Sequence, residues 1–220
     1  MSMRLRLLGS PRLDAAEASR DLPLDRPASL GYLLAHRGDW VRRAELACLY
    51  NPEADESSAL SNLRKLAHRL RQQGWAEGLE ADTSRLRLRL PTDVHEFRAA
   101  LERRDWAQAL QEYRGAFLEG LAFPDLAGYD DWLALERQDL ARAWRTALLE
   151  QVRTLDGQGD WIQAERWLEK LMRTDPLDEE AAQQWMRILL AAGQPSRAGE
   201  VYEHLRRCLS DELGVEPMEA

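Results

Sequence analysis

Hydrophobic and polar side chains alternate at the start of the chain. In "MRLRLLGSPRL", Leu5 and Leu7 fall on one side and Arg4 and Arg6 on the other. A period of two predicts a strand with one face on a core, and "GSP" supplies a turn, so a short strand or two opens the fold. After Pro27 the period lengthens. "ASLGYLLAHRG" places Leu30, Leu33 and Leu34 on one helical face, with Gly38 as the stop. "VRRAELACLY" predicts a shorter helix with Leu46 and Leu49 inward, broken at Asn51-Pro52 and followed by an acidic loop, "EADE". In "SSALSNLRKLAHRLRQQ", Leu60, Leu63, Ala67 and Leu70 recur as an apolar stripe. The 100° step puts Ser58, Ser61, Lys65, His68, Arg69 and Gln72 opposite, with Asn62, Arg64 and Arg71 flanking. "LEADTSRLRLRL" predicts a hairpin in which Arg85, Arg87 and Arg89 point one way and Leu86, Leu88 and Leu90 the other.

Beyond Pro91 the pattern is helical throughout, in segments that end at Gly, Pro or Asp. "GDWIQAERWL" and "GQPSRAGEVY" superpose Gly159 on Gly193 and Ala164 on Ala198. That spacing is the length of a tetratricopeptide unit, about 34 residues. Small residues let the paired helices approach, and Trp161, Trp167, Leu168 and Leu171 are expected between them. Trp106, Trp132, Trp144 and Trp185 fall at helical spacing too and are expected in the core. The fold class expected is mainly α with a small β part. Residues 1–91 are expected to form an α+β unit of strand, three helices and basic hairpin, and residues 92–220 an all-α tetratricopeptide-like solenoid of about three helix pairs.

Charge sharpens this division. The 220-residue chain carries a formal charge of -8. Residues 1–91 hold 15 Lys/Arg against 12 Asp/Glu, and residues 92–220 hold 15 against 26. The front is mildly basic and the rest strongly acidic, as expected if the first part meets a polyanion and the second something else. No apolar run approaches the roughly 20 residues of a membrane span, and Arg4 and Arg6 precede no signal-type core, so a soluble cytoplasmic protein is expected, with no membrane partner. Cys48 and Cys208, the two cysteines, imply neither a disulfide framework nor a metal site. The sequence lacks GxxxxGK[ST], GxGxxG, HExxH and GxSxG, and its four histidines, His36, His68, His95 and His204, are scattered. Neither an enzyme nor a cofactor is expected. "DVHEF", Asp93 to Phe97, reads as a helix start capped by Asp93 rather than as metal ligands.

Several stretches together resemble a known family. "LRLLGSPRL", "RAELACLY" and "ALSNLRKLAHRLRQ" in the first part, and "ALQEYRGAFLEGL", "DWLALER", "GDWIQAERWLEKLMRTDPLDEEAAQQWM" and "VYEHLRRCLSDELGVEP" in the second, carry the resemblance. The chain resembles the Streptomyces antibiotic regulatory protein (SARP) type of transcriptional regulator, with an OmpR-like winged helix followed by a bacterial transcriptional activator domain (BTAD). It departs from the family pattern at Leu49-Tyr50, where Leu-Trp is usual, and at Ser84-Arg85-Leu86, where the wing commonly has Gly-Tyr. No receiver domain precedes the first strand, so phospho-aspartate activation is not expected. The chain is either a short regulator or the front of a longer protein.

The resemblance implies that the third helix enters the major groove of duplex DNA, where Arg and Lys reach guanine and Asn reaches adenine. The candidates on the helix are Ser58, Ser61, Asn62, Lys65, His68 and Arg69 for bases, with Arg64 and Arg71 on phosphates. For the wing they are Ser84, Arg85 and Arg87. The acidic part is expected to serve dimerisation on DNA and contact with RNA polymerase subunits. A protein-interaction scaffold that no longer reads DNA, as the N-terminal part of a larger signalling protein, is the competing reading.

Overall fold

The structure, a computed structural model, describes residues 3–15 and 18–217. The chain divides into two compact units, Met1–Arg142 and Ala143–Ala220, the division falling within one long helix.

In the first unit, β1 (Arg4–Arg6), β2 (Arg12–Ala15) and β3 (Ala18–Asp21) form an antiparallel sheet in that order, with Leu5 opposite Leu13. The helix α1 (Arg26–Arg37) follows, capped by the Asp25 carboxylate and closed by Gly38 in the left-handed conformation. Every residue from Ala28 to His36 is buried, well beyond the face of Leu30, Leu33 and Leu34, because α1 is central. It packs on α3 (Glu56–Arg71) and on β6 (Arg85–Leu88). Gly31 leaves room for the Trp75 ring, since a Cβ there would come within 2.4 Å of it. The two-residue β4 (Val41–Arg42) leads into α2 (Arg43–Tyr50), which packs on α3. A second sheet has the order β4-β6-β5, with β5 spanning Leu79–Ala81. Strand, three helices and hairpin are thus present, and the fold class is the expected one.

Three details differ from the sequence expectation. On α3 the buried stripe is Ala59, Leu63, Ala67 and Leu70, while Leu60 is only half-buried. Leu49 on α2 is likewise half-buried, and the inward positions are Leu46, Ala47 and Tyr50. The third concerns α4 (Asp93–Glu102). Its cap is Thr92, whose hydroxyl accepts from the His95 N–H, and Asp93 has another role. The Asp93 carboxylate is buried and accepts the backbone N–H groups of Leu7 (2.8 Å) and Leu8 (3.1 Å).

The segment after α5 (Trp106–Glu112) also closes on the N-terminal strand. Leu118 N–H donates to the Leu7 carbonyl and Gly9 N–H to that of Ala116. The Arg137 guanidinium, on α6 (Ala127–Gly157), donates to the carbonyls of Phe117, Leu118 and Leu121 and so fixes this loop. Buried His36 on α1 meets Glu136 at 3.1 Å, and Glu136 also meets Arg98. Burial pushes the His36 pKa down, so the neutral ring donates to an ionised Glu136. The first unit therefore continues past residue 91 through α4, α5 and the front of α6.

The second unit contains the rest of α6 with α7 (Trp161–Thr174), α8 (Glu179–Ala191) and α9 (Pro195–Leu213). The repeat seen in sequence is a backbone repeat. Gly159 and Gly193 are both left-handed, Asp160 N–H donates to the Leu155 carbonyl and Gln194 N–H to that of Leu189, and Ala164 and Ala198 are buried. Trp161 differs from expectation: it is 38% exposed, at the first turn of α7. Trp144 lies in the core, whereas Trp106, Trp132, Trp167 and Trp185 are half-buried. The Lys170 ammonium sits 5.6 Å from the Trp144 ring and 5.3 Å from that of Trp167.

The same turn occurs once more, between α4 and α5. Asp105 N–H donates to the Ala100 carbonyl, Ala109 is buried, and the left-handed position is Arg104, with φ 56. An L side chain there costs about 1 kcal/mol that glycine avoids. Arg104→Gly should therefore stabilise the first unit by roughly 0.5–1 kcal/mol in urea unfolding.

Candidate nucleic-acid interface

The interface is built on α3. Asp55 caps the helix by accepting the Ser58 N–H, and hydrogen bonding to Ser58 holds the Asp55 carboxyl below its ordinary range. Burial of Ala59, Leu63, Ala67 and Leu70 orients the opposite side outward. Ser58, Asn62, Arg64, Lys65, His68, Arg69 and Arg71 are exposed, and Ser61 is half-buried. These side chains differ in what already holds them. Asn62 donates to the Asn51 side-chain oxygen (3.2 Å), His68 meets Gln72 (3.1 Å), and Arg71 donates to the Leu79 carbonyl (3.3 Å). Among the described residues, no carboxylate forms an ion pair with Arg64, Lys65 or Arg69.

Beside α3 lies a groove of about 480 Å³, lined by Arg43, Ala44, Leu60, Arg64 and the hairpin turn Asp82, Thr83 and Ser84. Half-buried Leu60 is among its lining residues. Arg43, at the start of α2, is fixed there: its N–H donates to the Ser84 carbonyl (2.8 Å) and its Nε to that of Asp82 (3.1 Å). Burial, and then the neighbouring cations Arg64 and Arg71, press the Arg43 pKa down. Arg43 and Arg64 line the groove with Asp82 opposing them, and Arg71 lies near enough to act on Arg43, so the surroundings of the groove carry a surplus of positive charge that favours an anion. Sequence periodicity gave no role to Arg43, although "RR" directly before a short helix was the available signal.

The hairpin behaves differently. The Asp82 carboxylate accepts the N–H groups of Ser84 (2.8 Å) and Arg85 (2.6 Å), forming the turn, and also pairs with the Arg85 guanidinium (2.9 Å). Arg87 is bound by Glu80 at 2.6 Å and 3.2 Å, and its side chain is only 11% exposed. Both guanidinium groups lie over the Trp40 ring, at 5.1 Å for Arg85 and 4.4 Å for Arg87. Ser84 is exposed beside them. The wing candidates are thus brought together, but all three are held within the hairpin, Ser84 through its hydroxyl, which donates to the Asp82 carboxylate (3.3 Å).

The description "Bacterial transcriptional activator domain" matches residues 88–220. The chain belongs to this family. Its activator-domain region begins at the end of the hairpin and includes α4 to α9. The chain is also 29% identical over 238 aligned residues to Regulatory protein AfsR of Streptomyces coelicolor, covering 98% of this chain and 23% of that protein. It therefore spans about a quarter of that curated relative. Among solved structures, Mycobacterium tuberculosis EmbR, in complex with a low affinity phosphopeptide, has a TM-score of 0.70 at 21% identity, over 98% of this chain and 62% of that one. That similarity speaks for the shared fold alone. The SARP-type resemblance stands, and a role in transcription regulation with it. Among the described residues, no helix is long and apolar enough to cross a membrane.

Proposed function

We propose that this member of the activator-domain family binds duplex DNA through α3 and the groove beside it, and acts from promoter DNA as a transcriptional activator in the cytoplasm. The observation that carries the reading is the outward face of α3, where Arg64, Lys65 and Arg69 have no carboxylate partner among the described residues while a leucine and alanine stripe anchors the helix beneath them. Cations left without intramolecular partners are suited to guanine edges and phosphates. Ser58, Ser61, Asn62 and His68 complete the base-reading set, and Arg43 joins Arg64 and Arg71 as a contact to DNA phosphates. Residues 1–91 constitute the DNA-binding part in this account and residues 92–220 the activating part, which engages RNA polymerase subunits or a partner. Two copies occupy one site.

Lys65→Ala and Arg69→Ala should each lower affinity for a selected site by about 1–3 kcal/mol and relax its sequence preference, whereas Arg43→Ala should weaken all duplexes alike and reduce the salt slope by about 0.9. Fluorescence anisotropy titrations distinguish the two patterns. Unchanged binding in both base-reading variants would remove the proposal and favour the scaffold. Polymerase recruitment to promoter DNA, compared at equal DNA occupancy between the full chain and a form ending at Arg142, the limit of the first compact unit, tests the activating role, and equal recruitment would sink it.

A further inference from the structure

We propose that Glu80 and Asp82 set how strongly the hairpin grips duplex DNA, by occupying the guanidinium groups of Arg87 and Arg85 until phosphates displace them. The inference rests on the DNA-binding reading above. Its basis is the contrast between two sets of cations in one unit. Arg64, Lys65 and Arg69 on α3 lack carboxylate partners among the described residues, while both arginines of β6 are held.

The holding is built into the strand register. Glu80 lies directly opposite Arg87 across the β5–β6 pair, and their contact is two-pronged. Asp82 is fixed independently of Arg85, because its oxygen is engaged by two backbone N–H groups of the turn. That carboxylate cannot follow the arginine outward. Trp40 completes the arrangement from below, its ring holding both guanidinium groups on one side of the sheet. Within the hairpin, Glu80 and Asp82 cancel Arg85 and Arg87 in formal charge. Hydrogen bonding to Arg87 holds Glu80 below its ordinary range, and the turn N–H of Ser84 does so for Asp82, so both carboxylates are ionised at neutral pH.

A phosphate that reaches either arginine must replace an internal carboxylate with an external one. Little net charge is neutralised, and fewer counterions leave the DNA than two unpaired arginines would release. The hairpin then adds position more than affinity, and the duplex has to fit well enough to compensate for the exchange. Poorly fitting DNA leaves the carboxylates in place, so the pair discriminates against non-specific duplex.

The test uses the full chain and a random-sequence 20-base-pair duplex, titrated by anisotropy between about 50 and 200 mM NaCl. The forms compared are wild type, Glu80→Gln, Asp82→Asn, the double variant, and Glu212→Gln on α9 as a control for one unit of net charge. Asparagine keeps an acceptor oxygen for the turn, and circular dichroism checks that each form is folded. The double variant should steepen the slope of log K against log[NaCl] by about 1–2, and raise affinity near 100 mM about tenfold, with each single variant between. A double variant that matches Glu212→Gln in slope and affinity overturns the inference while leaving DNA binding intact. Absence of binding by every form at the lowest salt overturns both, because the double variant is expected to bind even where the wild type binds weakly.

Discussion

Asp93→Ala should destabilise the first unit by about 2–4 kcal/mol in urea unfolding, because it strands two buried N–H groups at once. The Leu7 and Leu8 amides have the Asp93 carboxylate as acceptor at 2.8 and 3.1 Å, and all three residues are buried. No water can replace that acceptor without opening the packing between β1 and α4. Asp93→Asn retains one acceptor oxygen and should lose roughly half as much. The pH dependence has a definite sign. Burial raises the Asp93 pKa above its ordinary 3.8, against the opposing pull of the two amides, so the folded state holds this proton to higher pH than the unfolded chain. The contribution of this group weakens as pH rises from about 4 through the raised value, and Asp93→Asn should remove that component.

The other large effect is expected in the second unit, at Arg145. Its guanidinium meets Asp178 at 2.6 and 2.8 Å and Glu180 at 2.8 Å, and the Asp178 side chain is 3% exposed. Asp178 also caps α8 through the Ala181 N–H. Arg145→Ala leaves a buried carboxylate with only its cap bond and should cost about 3 kcal/mol. Asp178→Asn in the same chain keeps the cap without the charge and should recover more than half of that loss. A double-mutant cycle followed by urea unfolding measures the coupling, and additive effects would show that the pair is not the support assigned to it.

What was legible in the sequence followed from periodicity. The leucines of α1, α3 and β6 announced their elements because a core selects one face, and the Gly159 and Gly193 repeat announced its turns because left-handed backbone selects glycine. The strand β3 was not legible: "ASRD" carries no large apolar side chain and all four residues are exposed, so only its pairing with β2 defines it. The third turn of the repeat was hidden for a related reason. Arg104 occupies the position held by glycine in the other two, although "DWAQA" at 105–109 echoes "DWIQA" at 160–164.

The candidate site was legible in outline. The outward face of α3 is separated from its buried stripe as periodicity implies, except that Ala59 is buried where Leu60 was expected, and Leu60 and Ser61 are half-buried. What periodicity could not supply was partnership. Arg85, Arg87, Arg64 and Arg69 look alike as arginines on exposed faces, yet the cross-strand register and the Asp82 turn bind the first pair, and among the described residues no carboxylate binds the second. Glu80 and Arg87 are seven positions apart, and their contact exists only once the turn length is known.

The α3 face is proposed to read duplex DNA. Its most direct test is selection of bound sites from a random duplex pool by the full chain, with a Lys65→Ala, Arg69→Ala double variant run in parallel. Wild type should enrich a common sequence, and the double variant should not. A pool that remains random with wild type, or the same sequence enriched equally by both proteins, would contradict it.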